Sequence, residues 1–290
     1  MTKTVIVCGY PKSGNTWCSR LVAEAIGCPS RGYLGRRHWD PAIEGLERIS
    51  DFAVWKSHKN YSEIHRKYPQ ASLLHIVRDP RDIAVSGALF FGSKRYYKKR
   101  LQGTKVDSFE FMVRKLCDGD INSKGRGPWV QRVRAYLEGE SLSIRYEDLL
   151  DSPLHELRRI MSYLGISRSE ARLRTAIEKQ SFAAVRKRAE ESEDRPKLRL
   201  LRKGQSGGFR EYLTAEQIAR IEASCKTEMA ALGYEVSSSI QDFKESMPHG
   251  RDRPGTRVSP ELHGFRIALG NILSAWRKVL GRYLPGRPSR

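Results

Sequence analysis

Residues 5–27 read VIVCGYPKSGNTWCSRLVAEAIG: a short apolar run, a turn holding Pro, Lys, Ser and Gly, then apolar residues at helical spacing. Such a segment commits the chain to a strand that passes through a tight loop into a helix, the opening of a β–α–β unit. Further on, the same alternation recurs. Brief apolar or β-branched runs at 4–8, 53–57, 73–77 and 142–145 predict strands. Helices are predicted over 16–26, 81–90, 129–137, 154–164 and 215–232, the last closed by Gly233 as a C-terminal cap. An α/β fold with a mostly parallel central sheet, flanked by helices, follows from that order, and ligands of such sheets gather at the carboxyl ends of the strands.

Charge narrows the partners. Lys and Arg number 53 against 33 Asp and Glu, a formal charge of +20, so phosphorylated small molecules, nucleic acid or a membrane surface are expected. A chain of 290 residues suits one domain with insertions or two small ones. Cys8, Cys18, Cys28, Cys117 and Cys225 form no C-x-x-C pair and keep no regular spacing with histidines, which points to a reducing compartment and no structural zinc. The first residues lack the apolar core of a secretory signal, and no window approaches ~18 uninterrupted apolar residues, so a cytoplasmic chain that does not span a membrane is expected. No internal repeat is visible. Residues 246–260 are rich in Pro, Gly and Arg and poor in apolar residues. They divide the chain into a domain over 1–245, a linker over 246–261 and a helical tail over 262–290.

The loop after the first strand can offer backbone N–H groups to an anion. Gly14 permits backbone conformations that other residues resist, and the helix beginning near Thr16 aims its positive end at the same place. Lys12 adds a charge, and Ser13 and Thr16 add hydroxyls. The nucleotide-triphosphate pattern G-x-x-x-x-G-K-[ST] is not met, because Lys12 precedes Gly14. An ordinary strand-to-helix turn would satisfy the segment as well as a phosphate cradle does.

Two further stretches bear on that choice. In LLHIVRDPRDIAVS, residues 73–86, a strand ends at Arg78, whose fork of donors suits a phosphate, and Pro80 opens a helix that carries the Ser86 hydroxyl. Asp79, Arg81 and Asp82 are read as helix-start charges in solvated salt bridges. In RKGQSGGFREYLT, residues 202–214, Arg202 and Lys203 beside Gly204, with Gly207 and Gly208 close behind, make a second basic loop or a solvated turn.

Taken in order, these stretches resemble the cytosolic-type sulfotransferases that use 3′-phosphoadenosine 5′-phosphosulfate (PAPS), whose patterns read approximately Y-P-K-S-G-T-T-W, R-(x)3-D-x-x-V-S and R-K-G-x-x-G-D-W-K. The resemblance runs from about Thr4 to about Tyr234 and implies a three-layer, P-loop-like fold. It implies that Lys12, Ser13, Gly14, Asn15 and Thr16 surround the 5′ phosphosulfate, and that Arg78, Ser86, Arg202, Lys203 and Gly204 hold the 3′-phosphate. Trp17, Tyr146 and Phe182 match adenine-contacting aromatics, although a Trp at a helix start or a Phe after a loop also suits a core.

WKSHKN, residues 55–60, resembles the family's K-T-H stretch, in which the histidine is the general base. The resemblance implies that His58 removes a proton from an acceptor hydroxyl, or less often an amine, while Lys12 and Lys56 stabilise charge in an in-line transfer. No metal is required by such a scheme. Asn15 replaces the family's usual Thr but keeps an amide donor, and GGFRE replaces G-D-W-K, keeping an aromatic and a cation while losing the acid.

The acceptor side is less legible. Residues 32–39, 92–105 and 186–199 fall where family loops shape the acceptor pocket, and the run at 92–105 holds six Lys or Arg and no acid. An acidic glycan or a lipid headgroup would suit it, as would solvation of a mobile loop. In the tail, Leu269, Ile272, Trp276, Val279, Leu280 and Tyr283 share one helical face opposite Arg266, Arg277, Lys278 and Arg282. That pattern fits an anionic membrane surface, which would make the protein peripheral to a membrane, or docking on its own domain or on a second subunit as a homodimer. A P-loop kinase of a small metabolite would need a Walker loop, against which the displaced Lys12 argues. A nucleic-acid-binding module would need basic strands studded with aromatics or a reading helix, and neither is visible.

Overall fold

The computed structural model describes residues 2–35, 40–92, 106–119, 127–198, 201 and 204–236. Its strands are β1 (Lys3–Cys8), β2 (Ser30–Tyr33), β3 (Phe52–Ser57), β4 (Ser72–Val77) and β5 (Leu142–Arg145). They form one sheet in the order β2-β3-β1-β4-β5, and every pairing is parallel. Around it lie α1 (Asn15–Ile26), α2 (Tyr61–Lys67), α3 (Pro80–Gly92), α4 (Ser108–Cys117), α5 (Trp129–Glu138), α6 (Tyr146–Asp151), α7 (Pro153–Tyr163), α8 (Glu170–Lys179), α9 (Phe182–Glu191), α10 (Arg195–Leu198) and α11 (Ala215–Ala231).

The period of two along β1 builds the layers. Val5 and Val7 enter one core with α1, Leu149, Leu157 and Ile160. Ile6 and Cys8 enter the other with Ile64 and Tyr136. Both faces of the central strand are therefore dry, as a parallel sheet between helical layers requires. Each fully buried aliphatic side chain there contributes about 1.5–3 kcal/mol, so a charge in place of Val5 would disrupt the sheet at its centre.

Helix ends follow local chemistry. Gly27, at φ 83°, closes α1 by donating to the carbonyls of Ala23 and Glu24. Thr214 and Gln217 form a reciprocal capping box at the start of α11. At its other end, Gly233, at φ 71°, donates to Ala230, one position beyond the Leu232 cap, as its residue type predicts. All five cysteines are free, and burial pushes the thiols of Cys8 and Cys18 up to about 12.

One expectation is overturned. Asp79, Arg81 and Asp82 are not solvated: each is under 8% exposed. The Arg81 guanidinium is held by Asp79 and Glu222 and lies 4.3 Å over the Phe209 ring. Residues 246–261 and the tail at 262–290 lie outside the described residues, as do 36–39, 93–105, Arg202 and Lys203. Among the described residues, no helix is long and apolar enough to cross a membrane.

Candidate active site

The turn between β1 and α1 is built by tight backbone approaches. A Cβ on Gly9 would fall 2.4 Å from the carbonyl oxygen of Ile76, so only glycine lets the loop cross β4 there. Lys12, at φ 78°, and Gly14, at φ 98°, both adopt the left-handed conformation, which brings the chain over the N-terminus of α1. At Gly14 a Cβ would fall 2.6 Å from Cδ2 of Tyr146.

Ser13 is fully buried, and its hydroxyl has no hydrogen-bond partner among the described residues. Asn15 donates from its amide to the carbonyl of Ser57 at 3.3 Å, so this departure from the family pattern ties the loop to β3. The Lys12 ammonium sits 3.8 Å above the Phe90 ring. The buried Lys56, at the end of β3, donates to Thr16 Oγ1 at 2.9 Å and pairs with Asp40 at 2.8 Å.

His58 follows directly. Its Nδ1 lies 2.9 Å from the Gly9 carbonyl. A carbonyl only accepts, so Nδ1 carries the proton, and the lone pair of the neutral ring falls on Nε2. The Tyr33 hydroxyl accepts from the His58 backbone N–H at 3.3 Å, and the two rings lie 5.5 Å apart.

Arg78, one residue past β4, reaches the same loop. It donates to the carbonyls of Lys12 at 3.4 Å and Gln205 at 2.9 Å, its guanidinium lies 4.4 Å over Tyr146, and its buried Nε has no partner among the described residues. Trp17 meets Tyr146 edge-on at 5.7 Å and donates from its indole to the Gln180 carbonyl. Phe182 packs where a Cβ on Gly204 would lie, and Ser86 is half-buried in the second turn of α3.

The sulfotransferase domain model matches residues 2–233. The chain belongs to the sulfotransferase family. Human sulfotransferase 2A1 is 23% identical over 254 residues, a match that covers 80% of this chain and 86% of the relative. Cytosolic sulfotransferase 17 of Arabidopsis thaliana is 25% identical over 271 residues, covering 80% of this chain and 76% of that one. The crystal structure of mouse sulfotransferase SULT7A1 complexed with PAP shares the fold at a TM-score of 0.61 and 20% identity, covering 84% of this chain and 89% of that chain.

In this sulfotransferase the strand-end loops thus bring Lys12, Ser13, Gly14, Asn15, Thr16, Lys56, His58, Arg78 and Tyr146 together. Gly204 joins them through the Gln205 carbonyl that Arg78 holds. Arg202 and Lys203 lie outside the described residues, so their expected place beside Arg78 is not described. Sequence reasoning missed Asp40, Asp82 and Arg132. Asp82 accepts the Gly207 N–H, and burial raises its pKa against the pull of Arg78. Arg132 carried one signal: it interrupts a helical stripe otherwise made of Trp129, Val133 and Tyr136.

Among the described residues, no group of His, Cys, Asp and Glu is arranged to hold a metal ion. Lys12, Lys56 and Arg78 set cationic side chains around the loop, an arrangement that can stabilise an anion.

Proposed function

We propose that this sulfotransferase moves the sulfuryl group of PAPS onto an acceptor hydroxyl, or less often an amine, with His58 as the general base. The observation that carries the reading is the His58–Gly9 contact, which assigns the proton to Nδ1 and so makes Nε2 the basic nitrogen of the neutral ring.

The residues suit the donor. Among the described residues the buried Ser13 hydroxyl and Arg78 Nε have no partner, a costly condition that an anionic ligand would relieve. Lys12, Ser13, Gly14, Asn15 and Thr16 would hold the phosphosulfate, and Arg78, Ser86, Arg202, Lys203 and Gly204 the 3′-phosphate. Trp17, Tyr146 and Phe182 would take the adenine. Bound PAPS supplies an activated sulfuryl group whose bond to the leaving phosphate oxygen is exchanged for one to the acceptor. His58 Nε2 takes the acceptor proton as that bond forms. Lys12 and Lys56 offset the negative charge that collects around the transfer.

The basic run at 92–105 supports a glycan, lipid or glycolipid acceptor, and the amphipathic pattern at 262–290 supports contact with an anionic membrane surface. Incubation of the purified enzyme with radiolabelled PAPS and fractionated lipids, glycans and metabolites tests the reading. Label should pass to a hydroxyl-bearing species, and adenosine 3′,5′-bisphosphate should bind where ATP does not. Tighter binding of ATP with no labelled product would sink it. Truncation after Gln241 should reduce sedimentation with anionic vesicles while leaving bisphosphate binding intact, and equal partitioning would remove the membrane contact.

A further inference from the structure

The helix α5 buries Trp129, Val133 and Tyr136, each at most 1% exposed, and among them Arg132, only 3% exposed. These positions fall on one helical face. A guanidinium on such a face loses its hydration, and fixed hydrogen bonds must offset that loss. Those bonds go to backbone carbonyls. The Arg132 Nη2 donates to the His58 carbonyl and, at 3.1 Å, to that of Lys59. One turn along, the Tyr136 hydroxyl donates to the same Lys59 carbonyl at 2.8 Å. The guanidinium also lies 5.6 Å over the ring of Tyr10, in the loop that leaves β1.

β3 ends at Ser57, so His58 and Lys59 lie beyond the strand, and their carbonyls accept from side chains of α5. We propose that Arg132 is a positioning residue for sulfuryl transfer: it fixes the His58 and Lys59 backbone and, through it, the direction of the His58 ring. His58 is thereby held at three points, two on its backbone and one on its ring. Arg132 grips its carbonyl, Tyr33 takes its N–H, and Gly9 takes the Nδ1 proton. Because Arg132 also covers Tyr10, one side chain spans the base and the donor loop. A Lys at this place keeps the charge but loses the rigid, planar guanidinium that sets one nitrogen against both carbonyls while lying over Tyr10.

The inference rests on His58 being the base, and its test separates the two claims. Full-length Arg132→Met, Arg132→Lys and Tyr136→Phe proteins are compared with wild type by hydrogen exchange of residues 57–60, by calorimetry with adenosine 3′,5′-bisphosphate, and by turnover of radiolabelled PAPS with the acceptor fraction that takes up label in the incubation above. Arg132→Met should speed exchange of 57–60 at least about tenfold, because local opening is no longer held by the clamp. Its kcat should fall about 10- to 100-fold while KM for PAPS and bisphosphate affinity stay within about threefold, the signature of a contact needed only for the chemical step. Arg132→Lys should recover part of both effects, and Tyr136→Phe should produce a smaller change in the same direction. If Arg132→Met does not fold, Arg132→Lys and Tyr136→Phe carry the comparison alone. Unchanged exchange at 57–60 in the folded variants overturns the proposal, as does a bisphosphate affinity that falls in parallel with kcat. A wild-type protein that neither binds the bisphosphate nor transfers sulfate overturns the functional reading instead, and the exchange result still decides whether Arg132 holds this backbone.

Discussion

Asp82 accepts the backbone N–H of Gly207 at 2.7 Å. The contact joins the first turn of α3 to a loop more than a hundred residues later in sequence, and Arg78 reinforces it by donating to Gln205 at 2.9 Å. The two side chains also pair with each other across 3.7 Å. A loop expected to carry a 3′-phosphate is thus anchored at its far end by an acid. We predict that Asp82→Ala weakens adenosine 3′,5′-bisphosphate binding about tenfold, the worth of one charge-assisted hydrogen bond. Asp82→Asn, which keeps an acceptor, should lose less. Wild-type affinity in the Ala variant, measured by calorimetry, would remove the anchor.

Gly14 is constrained twice, by its φ of 98° and by the Tyr146 ring 2.6 Å from where a Cβ would stand. Gly14→Ala should therefore cost about 1–3 kcal/mol of stability and weaken bisphosphate binding together. Gly207 shares the positive φ, but a Cβ there meets nothing within 4 Å, so Gly207→Ala should cost less. Equal melting temperatures for wild type and Gly14→Ala would contradict this account of the loop.

The Gly14 loop was legible in the sequence because its chemistry is local: an apolar run, a glycine, a lysine and a helical pattern lie side by side. β1, β3, β4 and β5 were legible for the same reason, as continuous apolar runs. β2 was not. Its sequence SRGY buries only Ser30 and Gly32, and it is recognised as a strand only through its pairing with β3. α2 was missed because YSEIHRK buries Ile64 alone, which leaves no stripe to read. Asp79 and Arg81 were misread as solvated because nothing near them in sequence announces Glu222, whose carboxylate buries the pair. Asp40 and Arg132 act through partners brought together by the fold, Lys56 in one case and backbone carbonyls in the other, so their residue types alone carried little.

His58→Ala should lower kcat at least about 100-fold, the usual worth of a general base, and leave bisphosphate affinity close to wild type. The Gly9 contact directs Nδ1 away from the base role, so the loss comes from Nε2. Near-normal turnover in a folded variant removes His58 from the role.

Arg78→Ala should act on the 3′-phosphate in particular, since the side chain holds both the donor loop and the Gln205 carbonyl. Affinity for adenosine 3′,5′-bisphosphate should fall further than affinity for adenosine 5′-phosphate. Equal losses for the two ligands would place Arg78 elsewhere in the donor site, or in support of the fold.

His75 offers a test of the core beneath this site. It is 2% exposed in β4, stacked on Tyr136 with ring centroids 4.5 Å apart, and its Nδ1 lies 3.1 Å from the Ser143 hydroxyl. Burial, aided by the charge of Arg132, holds its pKa down at about 3, against 6.5 for an exposed imidazole. The unfolded chain takes up a proton near pH 6.5 that the folded protein refuses until about pH 3. Stability from the neutral ring is therefore fully present above that upper value and is lost as pH falls through the window, by about 1.4 kcal/mol per unit where the slope is steepest. Glu24 and Glu44, whose pKa values are lowered as their basic partners outweigh burial, add their losses only below about 4.5. His75→Phe keeps a flat ring against Tyr136 and removes the titrating nitrogen, so urea unfolding between about pH 7 and pH 5 should lose this share of its slope. Parallel loss of stability in wild type and variant over that range would show that another group governs it.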